Sequence, residues 1–411
     1  MLHPEIILLV LYVFVGPLIW AGYGEALLAG RRKMLLMKRP PHPIKGEPPS
    51  VTILIPAKDE GERIRRCIES ALDQEYPHVD VIAIDDRSTD NTGAVMDEIA
   101  AIHPKLHVIH IKQPPAPGWT GKNNALFTGA GQARGQWLLF IDSDVTLERD
   151  AVAVAMSVLL RKEFDMISLL PRLETHGLWE KVLIPLAGGA ASTMYAIALN
   201  NKGHMNKSAF ANGQFLLISR SAYDAIGGHE TVRDRYCEDV EIARQMKLRG
   251  LRPRVSWGND FCSVRMYNGL GAIIRGWSRI YYAAQVGSPW RVLAALAFIF
   301  VCCFSAYAAL GFGIYRTIHP TPVFYGLLGE CWIAWSLIHL TLMTVFLGAM
   351  YRWSGNRRRN ALLFPLGGAM MVWIFLRALK MCVTKKVEWR GTAYSHTMAQ
   401  DLSAAQSRTP V

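Results

Sequence analysis

The chain has 411 residues, of which 51% are hydrophobic, and a formal net charge of +12. This length and the positive mean hydropathy predict a soluble domain combined with membrane segments. The seven cysteines are scattered without a Cys-x-x-Cys pair, so the sequence predicts neither a disulfide framework nor a zinc site.

Four apolar stretches are long enough to cross a membrane and carry few or no charges in the middle: residues 6–29, 291–316, 322–350 and 361–383. The first is predicted to be an anchor rather than a cleaved signal peptide, because the leading MLHPE carries an acid and no base. A basic cluster follows it (Arg31, Arg32, Lys33 and Lys38). The positive-inside rule therefore predicts an outside N-terminus and a cytoplasmic location from Arg31 onward.

The positive charge is concentrated in three short stretches, 31–38, 357–359 and 385–390. Basic residues next to membrane segments favour contact with anionic lipid headgroups, at about 1 kcal/mol per residue. Nucleic acid is the weaker interpretation, because no basic stripe interleaved with aromatic residues occurs in the soluble part.

The soluble part alternates apolar runs with helical patterns. We predict strands at 51–57, 79–85, 106–111 and 137–142, and crossover helices at 61–75, 90–102 and 122–133, the second capped within 88–91. This alternation predicts a parallel α/β sheet. Ligands of such sheets bind outside the carboxyl ends of the strands.

Three of these strand ends carry pairs of acids: Asp59 and Glu60, Asp85 and Asp86, and Asp142 and Asp144. In an extended backbone Asp142 and Asp144 point the same way. Taken alone, this pair could be a solvated turn or the cap of a helix beginning near Thr146. Three acidic ends on one sheet edge instead favour a divalent cation and a hydroxyl-rich ligand.

Two nucleotide-binding motifs are excluded. No G-x-G-x-x-G follows the first strand, and 118-GWTGK-122 does not have the P-loop spacing. A nucleotide diphosphate held by a metal and carboxylates remains.

Six motifs in order carry a resemblance: 55-IPAKDE-60, 84-IDDRSTDNT-92, 118-GWTGKNNAL-126, 141-IDSD-144, 211-ANGQFLLISRSAYDAIGGHE-230 and 237-CEDVEIARQMKLRG-250. Together they resemble the family-2 glycosyltransferases, in the membrane-anchored branch that includes ceramide glucosyltransferase-like, hopanoid-associated and carotenoid-linked enzymes. The resemblance covers roughly residues 50–290, with weaker similarity to Tyr394. It implies the α/β GT-A nucleotide-diphospho-sugar transferase fold, with a mixed, mostly parallel sheet and transmembrane helices at both ends.

The resemblance also implies roles for the strand-end residues. Ala57, Glu60 and Asp86 match positions that hold the nucleotide base and ribose, and Lys122 matches a basic position near the nucleotide. The resemblance makes Asp144 the ligand of a Mg²⁺ or Mn²⁺ ion, with Asp142 beside the ribose or the metal. Such a cation takes oxygen ligands and neutralises the charge on a diphosphate leaving group.

Asp239 matches the general base of an inverting transfer, and the neighbouring carboxylate of Glu238 would raise its basicity. The alternative is an acidic pair that favours the N-terminus of a helix at 239–249. Residues Asn212, Gly213 and Gln214, before an apolar strand at 215–219, match the acceptor side, to which Glu238 is also assigned. Their alternative is an ordinary turn. We expect His229 to be a hydrogen-bonding loop residue rather than a catalyst.

Two further segments are predicted to lie in the membrane interface. Residues 178–199 are apolar but interrupted by Pro185, Gly188 and Gly189, and a span there would separate Asp239 from Asp144 across the membrane. Residues 269–284 are interfacial or form a core-packed amphipathic helix. Arg275 and Trp277 are assigned to the acceptor side. In 275-RGWSR-279, Gly276 breaks the Gln-x-x-Arg-Trp pattern of processive polysaccharide synthases, which argues against polymer synthesis.

The predicted domains are an anchor (1–30), a basic linker (31–49), a cytoplasmic GT-A domain (50–265), interfacial helices (266–290), a membrane region of two to three spans (291–383) and a basic, polar tail (384–411). The number of spans is open because Pro365, Gly367 and Gly368 are expected to break 361–383, which would then be re-entrant and return the tail to the cytoplasm.

The predicted function is inverting, metal-dependent transfer of a hexose from a nucleotide-sugar, UDP-linked, to a hydroxyl of a lipid in the inner (plasma) membrane. One alternative is a polyprenyl-phosphate glycosyltransferase, whose phosphate acceptor needs no strong base. The other is a non-catalytic nucleotide-binding membrane protein.

Overall fold

The computed structural model describes residues 4–34, 37–195, 197–201, 209–285, 287–320, 327–385, 387–389 and 392–394. It contains two compact units. The sheet unit comprises Lys33–Glu174 and Tyr195–Met266, and the helical unit comprises Met1–Arg32, Thr175–Met194 and Tyr267–Val411. Residues 175–194, placed within the predicted GT-A domain from sequence, group with the apolar helices instead.

The helices are α1 (Pro4–Val15), α2 (Pro17–Lys33), α3 (Ile64–Leu72), α4 (Thr92–Ala100), α5 (Gly121–Gln132), α6 (Ala151–Lys162), α7 (Leu178–Met194), α8 (Ile197–Asn200), α9 (Arg220–Ala225), α10 (Glu238–Leu248), α11 (Gly269–Ala284), α12 (Pro289–Ile299), α13 (Ser305–Ile318), α14 (Leu327–Trp353) and α15 (Phe364–Thr384). Short 3₁₀ segments occur at Gly228–Val232 and Arg358–Leu363, and a π-helical segment occurs at Phe300–Phe304.

The strands are β1 (Val51–Ala57), β2 (Val79–Asp86), β3 (Leu106–Ile111), β4 (Trp137–Phe140), β5 (Val145–Leu147), β6 (Met166–Leu170), β7 (Arg172–Leu173), β8 (Leu216–Ser219), β9 (Pro253–Trp257), β10 (Cys262–Val264), β11 (Val387–Trp389) and β12 (Thr392–Tyr394). The main sheet has seven strands in the order β3-β2-β1-β4-β8-β6-β9. The β4–β8 and β6–β8 pairs are antiparallel and the other pairs are parallel. This confirms the predicted mixed, mostly parallel sheet.

The central strands β1 and β4 are buried on both faces. Ile53 and Ile55 of β1 pack into the core on one face, and Leu54 packs into the core on the other. Alternate side chains of a strand point to opposite faces, so a continuous apolar run is what a doubly covered strand requires.

Most predicted elements form close to their expected bounds, including the strand at 215–219 and the helix at 239–249. Strand β4 ends at Phe140 rather than Asp142. The helix expected near Thr146 is wrong, because Val145–Leu147 pairs with Cys262–Val264 as a strand and the helix begins at Ala151. This pairing partner is distant in sequence, so local pattern could not reveal it.

In the helical unit, four helices are long and apolar enough to cross a membrane: Pro4–Ala26, Pro289–Ile318, Leu327–Trp353 and Arg358–Thr384. The expected break in the last one is wrong, because α15 is continuous from Phe364 to Thr384. Pro365 lies in the first turn, where a helix needs no backbone N–H. Gly367 packs closely against Val182 and Leu186, so here glycine serves helix packing.

Helices α7 and α11 pack together and against α15. The Tyr281 hydroxyl of α11 donates to the Ala187 carbonyl of α7 at 2.8 Å, and its ring stacks on Phe375 of α15. Ile273 and Trp277 lie on the same buried face of α11. This face of α11 is therefore packed in the core of the helical unit, as the core-packed alternative expects. The placement of α7 and α11 in the membrane interface stays a prediction. Within the tail, β11 and β12 form a hairpin, and residues 395–411 lie outside the described part of the chain.

Candidate active site

In the sheet unit, a narrow cavity opens at the carboxyl ends of β1 and β4. It is lined by Pro56, Lys122, Leu126, Phe140, Ile141, Asp142, Gly213, Leu216, His229, Glu238, Asp239 and Ile242. Four of the predicted site residues that line it are charged, namely Lys122, Asp142, Glu238 and Asp239. These residues come from the end of β4 and the first turns of α5 and α10, so the sheet edge and two helix N-termini meet there.

The cap of α5 holds Lys122 in place. The Thr120 hydroxyl accepts from the Asn123 backbone N–H at 3.2 Å, and the Asn123 side-chain amide donates to three backbone carbonyls, those of Val232, Arg233 and Arg235. Gly121 is required because a Cβ there would lie 2.5 Å from Oδ2 of Asp86. The sequence 118-GWTGK-122 therefore forms a fixed helix start beside the cavity.

Lys122 bridges two of the cavity carboxylates. Its Nζ lies 2.7 Å from Oδ1 of Asp142 and 2.7 Å from Oε1 of Glu238. Burial opposes the charged ammonium, but the carboxylates of Asp142 and Glu238 outweigh it and raise the pKa of Lys122 well above its usual value. Lys122 is therefore a fixed positive charge within an acidic site.

Asp239 is held by backbone donors on both carboxylate oxygens. The Gly213 N–H donates to Oδ2 at 2.7 Å, and the Val240 N–H donates to Oδ1 at 2.8 Å. Burial and then the charge of Glu238 raise its pKa to about 7, against the opposing effect of Lys122. The direction agrees with the effect expected of Glu238, although burial is the larger cause.

Asp144 follows β4 with one carboxylate oxygen unsatisfied. Its Oδ1 is buried and has no hydrogen-bond partner among the described residues. Burial raises the pKa of Asp144 to about 7, with Asp142 and Glu60 adding to the shift. A buried carboxylate oxygen without a donor is costly, and a cation would compensate it.

A metal ion at Asp144 would need further oxygen ligands. No group of three or more His, Cys, Asp or Glu side chains in the described part of the chain could hold a metal. The residues nevertheless fit a hard divalent cation that takes one oxygen from Asp144 and most of its ligands from a bound anionic molecule.

The residues matched to the nucleotide lie at the ends of β1 and β2. Ala57 is buried, and the backbone N–H of Glu60 donates to the Thr92 hydroxyl at 2.8 Å. Asp86 is buried, and its two carboxylate oxygens accept from Nε and Nη2 of Arg87, at 2.8 and 3.0 Å. The sequence did not predict that Asp86 is already paired within the chain.

The residues matched to the acceptor fall in both units. Asn212 donates from its side chain to Gln214 at 3.1 Å, and Gly213 between them holds Asp239. Arg275 and Trp277 belong to α11 of the helical unit, where Trp277 is buried against Tyr281. The sheet unit therefore contains Asn212, Gly213, Gln214 and Glu238, of which Gly213 and Glu238 line the cavity, whereas Arg275 and Trp277 belong to the helical unit.

His229 also lines the cavity, although the sequence predicted only a loop role for it. The Tyr223 hydroxyl accepts from the His229 backbone N–H at 3.1 Å and lies 2.9 Å from Nδ1 of the His229 ring. Burial lowers the pKa of His229 to about 3, which keeps the ring neutral. Gly227 and Gly228, with φ of 77° and 52°, shape this turn, and the Gly-Gly-His motif was the available signal.

Residues 48–255, just over half of the chain, match the family model described as "Glycosyltransferase like family 2". The 4,4'-diaponeurosporenoate glycosyltransferase of Staphylococcus aureus strain MRSA252 is 28% identical over 274 residues, which cover 66% of this chain and 70% of the relative. The enzyme of strain USA300 is 27% identical over the same length.

Two solved structures are also similar. The mannosyltransferase PcManGT from Pyrobaculum calidifontis, in complex with GDP-Man and Mn²⁺, aligns with a TM-score of 0.48 and 18% identity over 91% of this chain and 98% of that one. S. aureus TarS residues 1–349, in complex with UDP-GlcNAc, aligns with a TM-score of 0.39 and 12% identity over 84% and 96%. The family match covers β1 to β8, the first three residues of β9 and every residue that lines this cavity, and this chain belongs to glycosyltransferase family 2.

Proposed function

We propose that the protein is an inverting, metal-dependent hexosyltransferase that moves a sugar from a nucleotide-sugar, UDP-linked, to a hydroxyl of a membrane lipid. The observation that carries this proposal is Asp239, a carboxylate with a pKa of about 7 at the cavity that also holds Lys122 and Asp142. A general base works best when its pKa lies near the operating pH.

The donor would occupy the sheet edge. Ala57, Glu60 and Asp86 would hold the base and ribose, Lys122 would lie near the nucleotide, and Asp142 would lie beside the ribose or the metal. Asp144 would hold Mg²⁺ or Mn²⁺, which supplies positive charge that stabilises the departing diphosphate. Binding of a cation would also satisfy the buried Oδ1 of Asp144.

Asp239 would take the proton of the acceptor hydroxyl. The acceptor oxygen then forms its bond to the anomeric carbon while the bond from that carbon to the diphosphate oxygen breaks, and the electron pair leaves with the diphosphate. One displacement of this kind inverts the anomeric configuration. The N–H groups of Gly213 and Val240 fix the orientation of the carboxylate during the transfer.

The lipid acceptor is supported by two observations. The described part of the chain has four helices long and apolar enough to cross a membrane, and its relatives include 4,4'-diaponeurosporenoate glycosyltransferases. We assign Asn212, Gly213, Gln214, Glu238, Arg275 and Trp277 to the acceptor side. The protein would be a multi-pass inner-membrane enzyme whose GT-A domain faces the cytoplasm, where nucleotide-sugars are made.

The test is nucleotide diphosphate release by detergent-purified protein given UDP-glucose, Mg²⁺ or Mn²⁺ and a total lipid extract. We expect release that requires both metal and lipid and that Asp144→Asn abolishes. Replacing UDP-glucose with GDP-mannose tests the donor base. Absence of release with every nucleotide-sugar tried, from protein that still binds nucleotide, would overturn the proposal.

A further inference from the structure

The helical unit encloses a second cavity that the sequence did not predict. The helix cavity, as we call it, has a volume of about 360 Å³ and is lined by residues of α2, α7, α12, α14 and α15, with Gln285 after α11 and Cys303 of the π-helical segment. Small residues on three of these helices leave the space open, namely Gly189, Ala190, Ala295 and Gly368. At this size it lies near the lower end of the range for small-molecule sites, about 300–1,000 Å³.

The helix cavity extends along α12. On α12 and the following turn it is lined by Arg291, Ala295, Ile299 and Cys303, which recur every four residues and so lie on one helix face. Twelve residues of helix correspond to about 18 Å. This is more than half of the roughly 30 Å thickness of a bilayer hydrocarbon core.

Polar groups gather at one end of this space. Thr193, Gln285 and Arg291 line it there, and the Gln285 amide donates to the sulfur of Met194 at 3.7 Å, which places the end of α7 beside Gln285. Among the residues that the structure describes, no acidic side chain lines the cavity. Arg291 is exposed and makes no ion pair among the described residues. This end therefore offers hydrogen-bond donors to oxygen atoms of a ligand.

In the apolar part of the cavity, the ring of Trp20 is positioned by a hydrogen bond. The indole N–H of Trp20, a lining residue, donates to the Cys302 carbonyl in the π-helical segment, and Nε2 of His339 lies 3.0 Å from the same oxygen. A π-turn frees a carbonyl from the helix ladder and is often found at functional sites. The position of Trp20 in the cavity is thus fixed by a hydrogen bond as well as by packing.

We propose that the helix cavity binds the hydrocarbon chain of the acceptor lipid, which is a single-chain amphiphile with an oxygen-bearing head group near Arg291 and Gln285. The identity of the occupant as the acceptor rests on the proposed function. A volume of about 360 Å³ that extends along one face of α12 matches one apolar chain better than the two chains of a phospholipid. The donors at the polar end match a head group that accepts hydrogen bonds.

The experiment measures binding without catalysis. Cis-parinaric acid, a fluorescent single-chain polyene acid, is titrated into the detergent-purified full chain, and energy transfer from tryptophan is recorded. Ala295→Phe fills the cavity, whereas Ala297→Phe places the same side chain on the exposed side of the same helix. We expect a Kd at least about tenfold higher for Ala295→Phe, corresponding to about two methylenes displaced from the site, and a Kd unchanged by Ala297→Phe.

A second pair of variants tests the polar end. Arg291→Leu should weaken binding about fivefold through loss of a charge-assisted hydrogen bond, whereas Arg359→Leu, which removes the same charge elsewhere on the helical unit, should not. Palmitic acid should displace the probe and phosphatidylglycerol should not. Equal affinity of Ala295→Phe and Ala297→Phe, or equal displacement by the phospholipid, would overturn the inference.

A failure of this inference and a failure of the proposed function give different experimental results. Ala295→Phe should keep the wild-type affinity for the nucleotide, because it leaves the sheet unit unchanged. A protein with the expected binding pattern but no turnover of any nucleotide-sugar would retain the cavity as a single-chain lipid site and remove its role as the acceptor site.

Discussion

Asp85 and Asp86 at the end of β2 stand in different electrostatic surroundings from Asp144 and Asp239. Asp85 accepts from the Ser88 N–H at 3.1 Å and lies 3.1 Å from Nδ1 of His110, and Asp86 is paired with Arg87. Asp144 instead keeps a buried oxygen without a partner, and Asp239 has a pKa near 7.

This difference separates two uses of a carboxylate at the same sheet edge. A carboxylate that is paired within the chain fixes local structure. One that stays buried and under-compensated costs stability and is retained where a ligand or a proton transfer needs it. Substitutions on the two sides should therefore have very different effects.

The largest effect is expected for Asp144→Asn. A neutral amide compensates a divalent cation poorly, so we expect turnover to fall by at least about 1,000-fold. Nucleotide diphosphate release at saturating Mn²⁺ measures it. Activity within about tenfold of the wild type would show that Asp144 does not hold the metal.

Asp239→Asn removes the proposed base without changing the size of the side chain. We expect kcat to fall about 100-fold to 10,000-fold, the range of general-base contributions, while nucleotide affinity measured by calorimetry stays unchanged. A phosphate acceptor needs no base. Retention of most of the activity would therefore favour the polyprenyl-phosphate alternative.

The pH profile should report the same residue. The active form of Asp239 is deprotonated, and its pKa is raised to about 7, so kcat/KM should fall about tenfold per pH unit below pH 7 and level off above it. With an unperturbed aspartate the fall would begin near pH 4. A flat profile between pH 5 and pH 8 would contradict the role of Asp239.

Lys122→Met sharpens the comparison by removing the charge that compensates Asp142 and Glu238. Both carboxylates lose their partner, so we expect the free energy of unfolding to fall by about 1–3 kcal/mol. Urea unfolding of the detergent-solubilised chain, followed by tryptophan fluorescence, measures the change. The exposed Lys162→Met serves as the control and should shift it by less than about 0.5 kcal/mol.

The smallest effect is expected for Asp59→Asn on the paired side. Oδ1 of Asp59 accepts from the backbone N–H and the hydroxyl of Thr89, and the asparagine amide oxygen can accept both bonds. Asparagine also tolerates the left-handed backbone at this position, where φ is 53°. Activity and stability should stay within about twofold and 0.5 kcal/mol of the wild type. A loss comparable with that of Asp144→Asn would erase the distinction between the two groups of acids.

Much of the fold could be predicted from sequence because its signals are local. Strands β1 and β3 have the predicted bounds, since each is an apolar run bounded by polar residues. The four long apolar helices follow from composition alone. The short strand β5 could not be found in this way, because it exists only through its pairing with β10.

The sequence by itself determined which residue types stand at the strand ends and that the chain has the motifs of family 2. The tertiary structure decided how these residues are used. It joined Lys122 to both Asp142 and Glu238, paired Asp86 with Arg87, and left Asp144 uncompensated. Charge compensation depends on distances between residues far apart in the chain, and so does the cavity among the apolar helices. Local sequence does not encode such distances, because packing of the whole chain sets them.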